Sequence, residues 1–175
     1  MTTLKPIEAI ADIIQTMLLL DSGRVMMSNQ KFNISTAVGL YVVVSYISGK
    51  AIGNNVYPTP VVGGMSSTSQ VAMMELIQID LFSVDTTARD RKEEIIMALN
   101  SNYAQEICDA NNISIARIPS QFNDISGVEN TAILTRYVMT VPVFCLYTTV
   151  QKAVSYYSDF SRSVPAEVIT NDDSN

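Results

Sequence analysis

Seven charged residues fall within ten positions of the chain: Asp85, Arg89, Asp90, Arg91, Lys92, Glu93 and Glu94. Paired carboxylates beside bases can act as general acid and base, provided burial or a like-charge neighbour moves a pKa toward neutrality. Here each acid has a base nearby. On a helix, Arg89 and Glu93 stand four apart and Arg91 and Glu94 three apart, spacings that give ion pairs of about 0.3 kcal/mol each. Asp90 and Glu94 are like charges four apart, a mild cost. Lys92 falls among apolar positions, so its stem can follow the core edge while its ammonium reaches water. The cluster therefore reads as the solvated or protein-facing side of a helix. A face of two signs suits register-specific contact with another subunit. Arg89, Asp90, Arg91, Glu93 and Glu94 are the candidate subunit-interface residues, and the double substitution Arg89→Glu with Arg91→Glu is expected to impair assembly and leave the monomer folded.

The rest of the catalytic inventory is thin. The chain has no histidine, which removes Ser-His-Asp and Cys-His arrangements and the usual general base near neutral pH. Cys108 and Cys145 are too far apart in sequence for a zinc motif, and free thiols of a reduced compartment are the simpler reading than a bridge. The "VVGGMSS" stretch has a glycine pair but no lysine, so it is no phosphate loop. Catalytic, cofactor and metal-binding residues are all expected to be absent, and the chain is expected not to be an enzyme. Net charge is −6, with 11 scattered basic residues, which argues against a nucleic-acid-binding surface. Nine methionines suit core filling. Tyr137, Tyr147, Tyr156 and Tyr157 suit a core, a sheet edge or an interface.

The elements that must position these residues follow from periodicity. With 175 residues, 47% of them apolar, one α+β domain over 1–160 is expected, with a polar, acidic C-terminal tail over 161–175 ordered by contact with something else. Residues 6–20 read as a helix with Ile7, Ile10, Ile14, Met17 and Leu18 on one stripe. The helix is too interrupted by Glu8, Asp12 and Gln15 to be a signal peptide or a membrane span. Residues 25–28 read as a short strand and 40–48 as a buried strand. The glycines and prolines that follow make 50–69 a long connecting loop. A second strand, Val71 to Leu81, carries a bulge near Glu75. Together these form a long hairpin. Asp85 is the expected N-cap of a helix over 86–100, extending to 110 past a kink at Ser101-Asn102. A short strand follows at 113–118, then a polar loop, then a long strand at 132–148 in which Pro142 belongs on an edge or at a bulge. Residues 153–160 are expected to pair back as a last strand. The sum is a mostly antiparallel sheet with helices packed on one face.

"VMMSNQ" precedes a hairpin that ends "MELIQIDLFSVDTTARDRKEEIIMALNSNYA". A short strand with "ARIPS", a polar loop and "TRYVMTVPV" come after it. Over residues 25–150 this resembles the tail-terminator or neck (head-to-tail joining) proteins of long-tailed bacteriophages. The positions that carry the likeness are Gln78, Asp80, Phe82, Ala88, Arg89, Arg91, Ile95, Leu99, Arg136 and Tyr137. The resemblance implies a virion structural protein, made in the host cytoplasm, that assembles as a homo-hexameric ring. Such a ring caps the tail tube and joins it to the head-side connector or stopper protein, and in a contractile tail it also meets the sheath. DNA would pass through its lumen without specific binding, which a net negative charge would favour, and no membrane is involved. The glycine-rich stretch at 50–69 departs from the pattern. The alternatives are another neck, tail-completion or connector protein, or a cytoplasmic ligand-binding domain or histidine-free enzyme using Asp80, Asp90 or Glu93.

Overall fold

Two apolar runs, "YVVV" at 41–44 and "LIQIDLF" at 76–82, lie side by side in the middle of one sheet. Both are rich in β-branched and aromatic residues, which suit a pleated surface buried on both sides. The computed structural model describes residues 4–28, 38–61, 64–116, 121–129 and 132–151. The elements are α1 (Pro6–Met17), β1 (Val25–Met27), β2 (Tyr41–Val61), β3 (Gly64–Ser83), α2 (Thr87–Leu99), α3 (Asn102–Asn111), β4 (Ile113–Ile115), β5 (Asn123–Asp124), β6 (Gly127–Glu129) and β7 (Ala132–Gln151). Strand order is β1-β2-β3-β7-β4, with β5 and β6 also paired to β7. The β1–β2 pair is parallel and the other pairs are antiparallel. The fold is thus α+β with a mostly antiparallel sheet and a long hairpin.

The three helices cover one face. Ala9, Ile10, Ile13 and Ile14 of α1, Ala88, Ile95, Ala98 and Leu99 of α2, and Ala104 and Cys108 of α3 pack on Val42, Val44, Ile77, Ile79, Leu81, Met139, Val141 and Val143. Each fully buried Ile or Val contributes about 2 kcal/mol by leaving water. The opposite face carries a smaller buried cluster of Met26, Tyr41, Val43, Phe82 and Leu134. There Tyr41 and Phe82 stack at 5.7 Å, and the Arg24 guanidinium lies 5.0 Å above the Tyr41 ring. Arg24 also donates to the carbonyls of Leu40 and Val38. Gly39, at φ +124°, is a position that a side chain could occupy only with strain and by displacing that guanidinium.

Several local expectations need correction. Helix α1 stops at Met17 rather than residue 20, because Leu19 turns left-handed at φ 52° and points outward. Met17 lies off the buried stripe, and Ala9 and Ile13 take its place. Helix α2 starts at Thr87. Asp85 still supplies a first-turn acceptor, taking the Thr87 N–H at 2.9 Å, but the Ser83 hydroxyl takes the next, from Ala88, at 3.0 Å. The break at Ser101 is real: its hydroxyl accepts the Ala104 N–H and so starts α3. The strand expected over 113–118 ends at Ile115. Part of the expected polar loop is strand, because the backbone of 123–124 and 127–129 pairs with β7 whatever its side chains. Residues 153–160 and the tail 161–175 lie outside the described residues. Both cysteines are free and buried, and burial raises the pKa of each thiol.

Residues 50–61 and 64–69, expected as loop, are strand. The reason lies in which way the backbone groups point. The Val42 N–H donates outward to β1, and the register then alternates. Two extra residues on β2, Ile47 and Ile52, shift that register between Tyr46/Ser48 and Ala51/Gly53. These are the bulges, and they lie on β2 rather than near Glu75 of β3. Past them, Pro58 and Pro60 fall at positions whose N–H would face away from β3, so the hairpin loses nothing by their lack of a donor. Pro142 obeys the same rule. Its carbonyl accepts the Ala116 N–H on the side away from β3, and β3–β7 pairing runs through it without a shift.

Candidate assembly surfaces

Strands β2, β3 and β7 run on past the helices as a three-stranded blade. From Gly64 to Leu76, β3 spans about 40 Å at strand rise. Between Tyr46 and Met74 the blade carries a single charge, Lys50, and between Pro142 and Gln151 it carries none. Its large apolar side chains are exposed: Tyr46, Ile47, Ile52, Val56, Tyr57, Phe144, Leu146, Tyr147 and Val150 are all at least 39% accessible. An apolar-studded surface of this extent with Lys50 as its one charge, in a chain of net charge −6, is a candidate contact surface.

The blade is anchored at its base by one buried acid. Glu75 is 8% exposed and accepts the Tyr147 hydroxyl at 2.8 Å. Burial, and then this bond to the carboxylate, push the Tyr147 phenol far above its ordinary range, so it remains a donor at all ordinary pH. The Tyr147 hydroxyl is thus turned toward the buried carboxylate, while its ring stays half exposed.

The two long edges of the blade differ. On β2, two bulges and two outward prolines interrupt the row of backbone groups. On β7, residues 146, 148 and 150 present their N–H and C=O groups away from β3, beyond the last residue paired with β4, Cys145. No proline, glycine or charge breaks that stretch, "LYTTVQ", and among the described residues no strand covers it. A cavity of about 330 Å³ lies beside it, between Leu4–Pro6, Asn111–Ile113 and residues 145–148.

The charged helix is the second surface. Arg91 and Glu94 pair at 2.7 Å as their spacing requires. Arg89 does not meet Glu93. It lies 3.6 Å from Asp90, while Glu93 takes Lys92 at 2.6 Å, because Lys92 is drawn over the Tyr137 ring at 5.5 Å and its ammonium then falls beside Glu93. That contact lowers the Glu93 pKa. Asp90 accepts the Thr86 hydroxyl at 2.9 Å. Arg91 has a further role: its guanidinium reaches the Leu18 carbonyl at 3.3 Å, tying α2 to the end of α1. Arg89, Asp90 and Glu93 are therefore the free face. Arg91 thus also serves the fold, which Arg89 does not, so Arg91→Glu removes a tie between α2 and α1 that Arg89→Glu leaves in place.

A third group sits on the helix-free side of the sheet. Asp80, 4% exposed, accepts Arg136 at 2.8 Å and 3.2 Å, and Gln78 at 2.7 Å. Residues far apart in the chain thus form one satisfied network, which fixes the β3–β7 register. Among the described residues no group of three His, Cys, Asp or Glu side chains is arranged to hold a metal ion, and no helix is long and apolar enough to cross a membrane. Comparison of the chain with protein-family models and with curated proteins gave no match.

Proposed function

We propose that this chain is a ring-forming virion structural protein, the tail terminator that caps a phage tail tube and joins the tail to the head-side connector. The observation that carries the reading is the blade: a nearly uncharged, apolar-studded sheet that leaves the helix-packed body and has no covering element of its own among the described residues. A ring subunit needs heterologous contacts that close on themselves, and it needs no catalytic group. The blade offers apolar area for such contacts. The free charged face of α2, Arg89, Asp90 and Glu93, offers register. The Gln78–Asp80–Arg136 network supports the likeness to neck proteins, since those three positions belong to the pattern that carries it. The partners are further copies of the chain, the tail tube protein and the head-side connector or stopper.

The test is imaging of the purified chain with and without tail tubes. The reading expects six-fold rings in negative stain and a ring at one end of each tube. Tubes that keep growing at both ends in excess protein, with no rings in the background, would defeat it. A label on the chain that appears in virions away from the head–tail joint would favour another neck or tail-completion role.

A further inference from the structure

One edge of the blade is blunted and the other is intact, and this asymmetry limits how the sheet can grow. The β2 edge is blunted by the Ile47 and Ile52 bulges and by Pro58 and Pro60, devices that stop a further strand from adding. The β7 edge over residues 146–151 offers three outward N–H groups and three outward carbonyls in regular register. Such a row is a template for one more strand.

We infer that the occupant of the β7 edge is the same edge of a second copy, paired antiparallel about a two-fold axis at Thr148. The pairing is self-complementary. Thr148 meets the partner subunit's Thr148, and Leu146 meets the partner subunit's Val150, in both directions. Leu146 and Val150 are 43% and 68% exposed in the single chain, and they lie on the same face of the sheet because they share parity. About six backbone hydrogen bonds would form across the axis. Charge favours a copy as the occupant. Two bodies of net charge −6 repel, but 142–151 carries no charge, so this edge can approach its twin without like-charge contact.

Geometry sets the length of the overlap. Antiparallel pairing sends the two helix-packed bodies to opposite ends. Strand β4 occupies the β7 edge at 143–145, so the overlap stops there. The cavity beside residues 145–148 leaves room for the partner chain to turn out of the sheet. The joined sheet ends in a blunted β2 edge on both sides, so pairing stops at two copies and no fibre follows. A two-fold contact is distinct from the head-to-tail contacts of a ring, so the inference stands whether or not the chain caps a tail.

Thr148→Pro tests it cleanly. The residue's N–H points away from β3, so proline removes a donor from the outer edge and none from the fold. The expected result is that light scattering gives the variant half the wild-type mass, with an unchanged circular dichroism spectrum. Equal masses would overturn the inference, including the case in which another segment of the chain or another protein fills the edge. Should Thr148→Pro not fold, Thr148→Cys gives a second reading. Mild oxidation should yield a covalent dimer from it and none from Thr59→Cys on the β2 edge. No dimer from Thr148→Cys, or equal dimer from both, would equally overturn it.

Discussion

The same strands lead two different lives at their two ends. At Ile77, Ile79 and Leu81, β3 is walled by helices on one face and by the Tyr41–Phe82 cluster on the other. At 66–74 it runs between β2 and β7 with every side chain only partly buried, and Met73 marks where the helix-side core gives out. The body end has isoleucine, valine and leucine on the helix side and satisfied polar groups opposite. The blade end has serine, threonine, asparagine, tyrosine and scattered apolar residues, with almost no charge. Helix packing supplies the stability of the first. The second keeps its conformation by ladder bonds and the Glu75–Tyr147 anchor, and it leaves large apolar side chains such as Ile52, Val56 and Val150 exposed. One continuous strand thus carries the fold at one end and an exposed, nearly uncharged surface at the other.

The contrast predicts a graded set of substitutions. Ile79→Ala in the body should cost about 3 kcal/mol in urea unfolding, because the site is sealed and cannot collapse fully. A loss under about 1 kcal/mol would deny that the body holds the fold. Arg136→Ala should cost about 2 kcal/mol by stripping the buried Asp80 carboxylate of its charged partner, Gln78 alone remaining. Arg91→Glu should cost about 1 kcal/mol through the lost tie to Leu18, whereas Arg89→Glu, largely exposed, should stay within about 0.5 kcal/mol. Equal effects from the two arginines would remove the distinction between fold and free face on α2.

Two smaller effects sharpen the boundary. The bonds from Thr87 lower the Asp85 pKa below the ordinary 3.8. A lowered folded pKa gives stability that is present above 3.8 and is lost as pH falls through the folded value. Asp85→Ala should therefore lose less stability in acid than the wild type does; parallel acid-unfolding curves would sink this. In the blade, Val56→Ser should change unfolding stability by less than about 0.5 kcal/mol, since Val56 is 56% exposed. A larger loss would mean that the blade contributes to the fold of the single chain.

Much of the body was legible from residue pattern. The helical stripes, the apolar runs and the break at Ser101-Asn102 all follow local rules, although the Ser101 hydroxyl that caps α3 emerges only in the fold. The blade was not, because a periodicity reading treats glycine and proline as strand breakers. That holds in a sheet interior, where every N–H is needed. On an open edge every second N–H faces outward, so Pro58 and Pro60 cost the hairpin nothing, and the bulges at Ile47 and Ile52 absorb the broken alternation. The candidate surface on α2 was legible as a charged helix but not in its pairings. The Lys92–Tyr137 and Arg91–Leu18 contacts join residues 45 and 73 positions apart, and helical spacing says nothing about them. The near-absence of charge over 46–74, where Lys50 alone is charged, was visible in the sequence all along. It is the one signal that could have marked the blade as a surface rather than a loop.

The most direct test of the blade as an assembly surface is the mass of the wild-type chain by light scattering after size exclusion, over a range of concentrations and with tail tubes added. The account predicts particles well above the 19.2 kDa protomer, with Val56 and Val150 shielded from solvent in the assembly. A 19.2 kDa monomer at every concentration, indifferent to tubes, would contradict it.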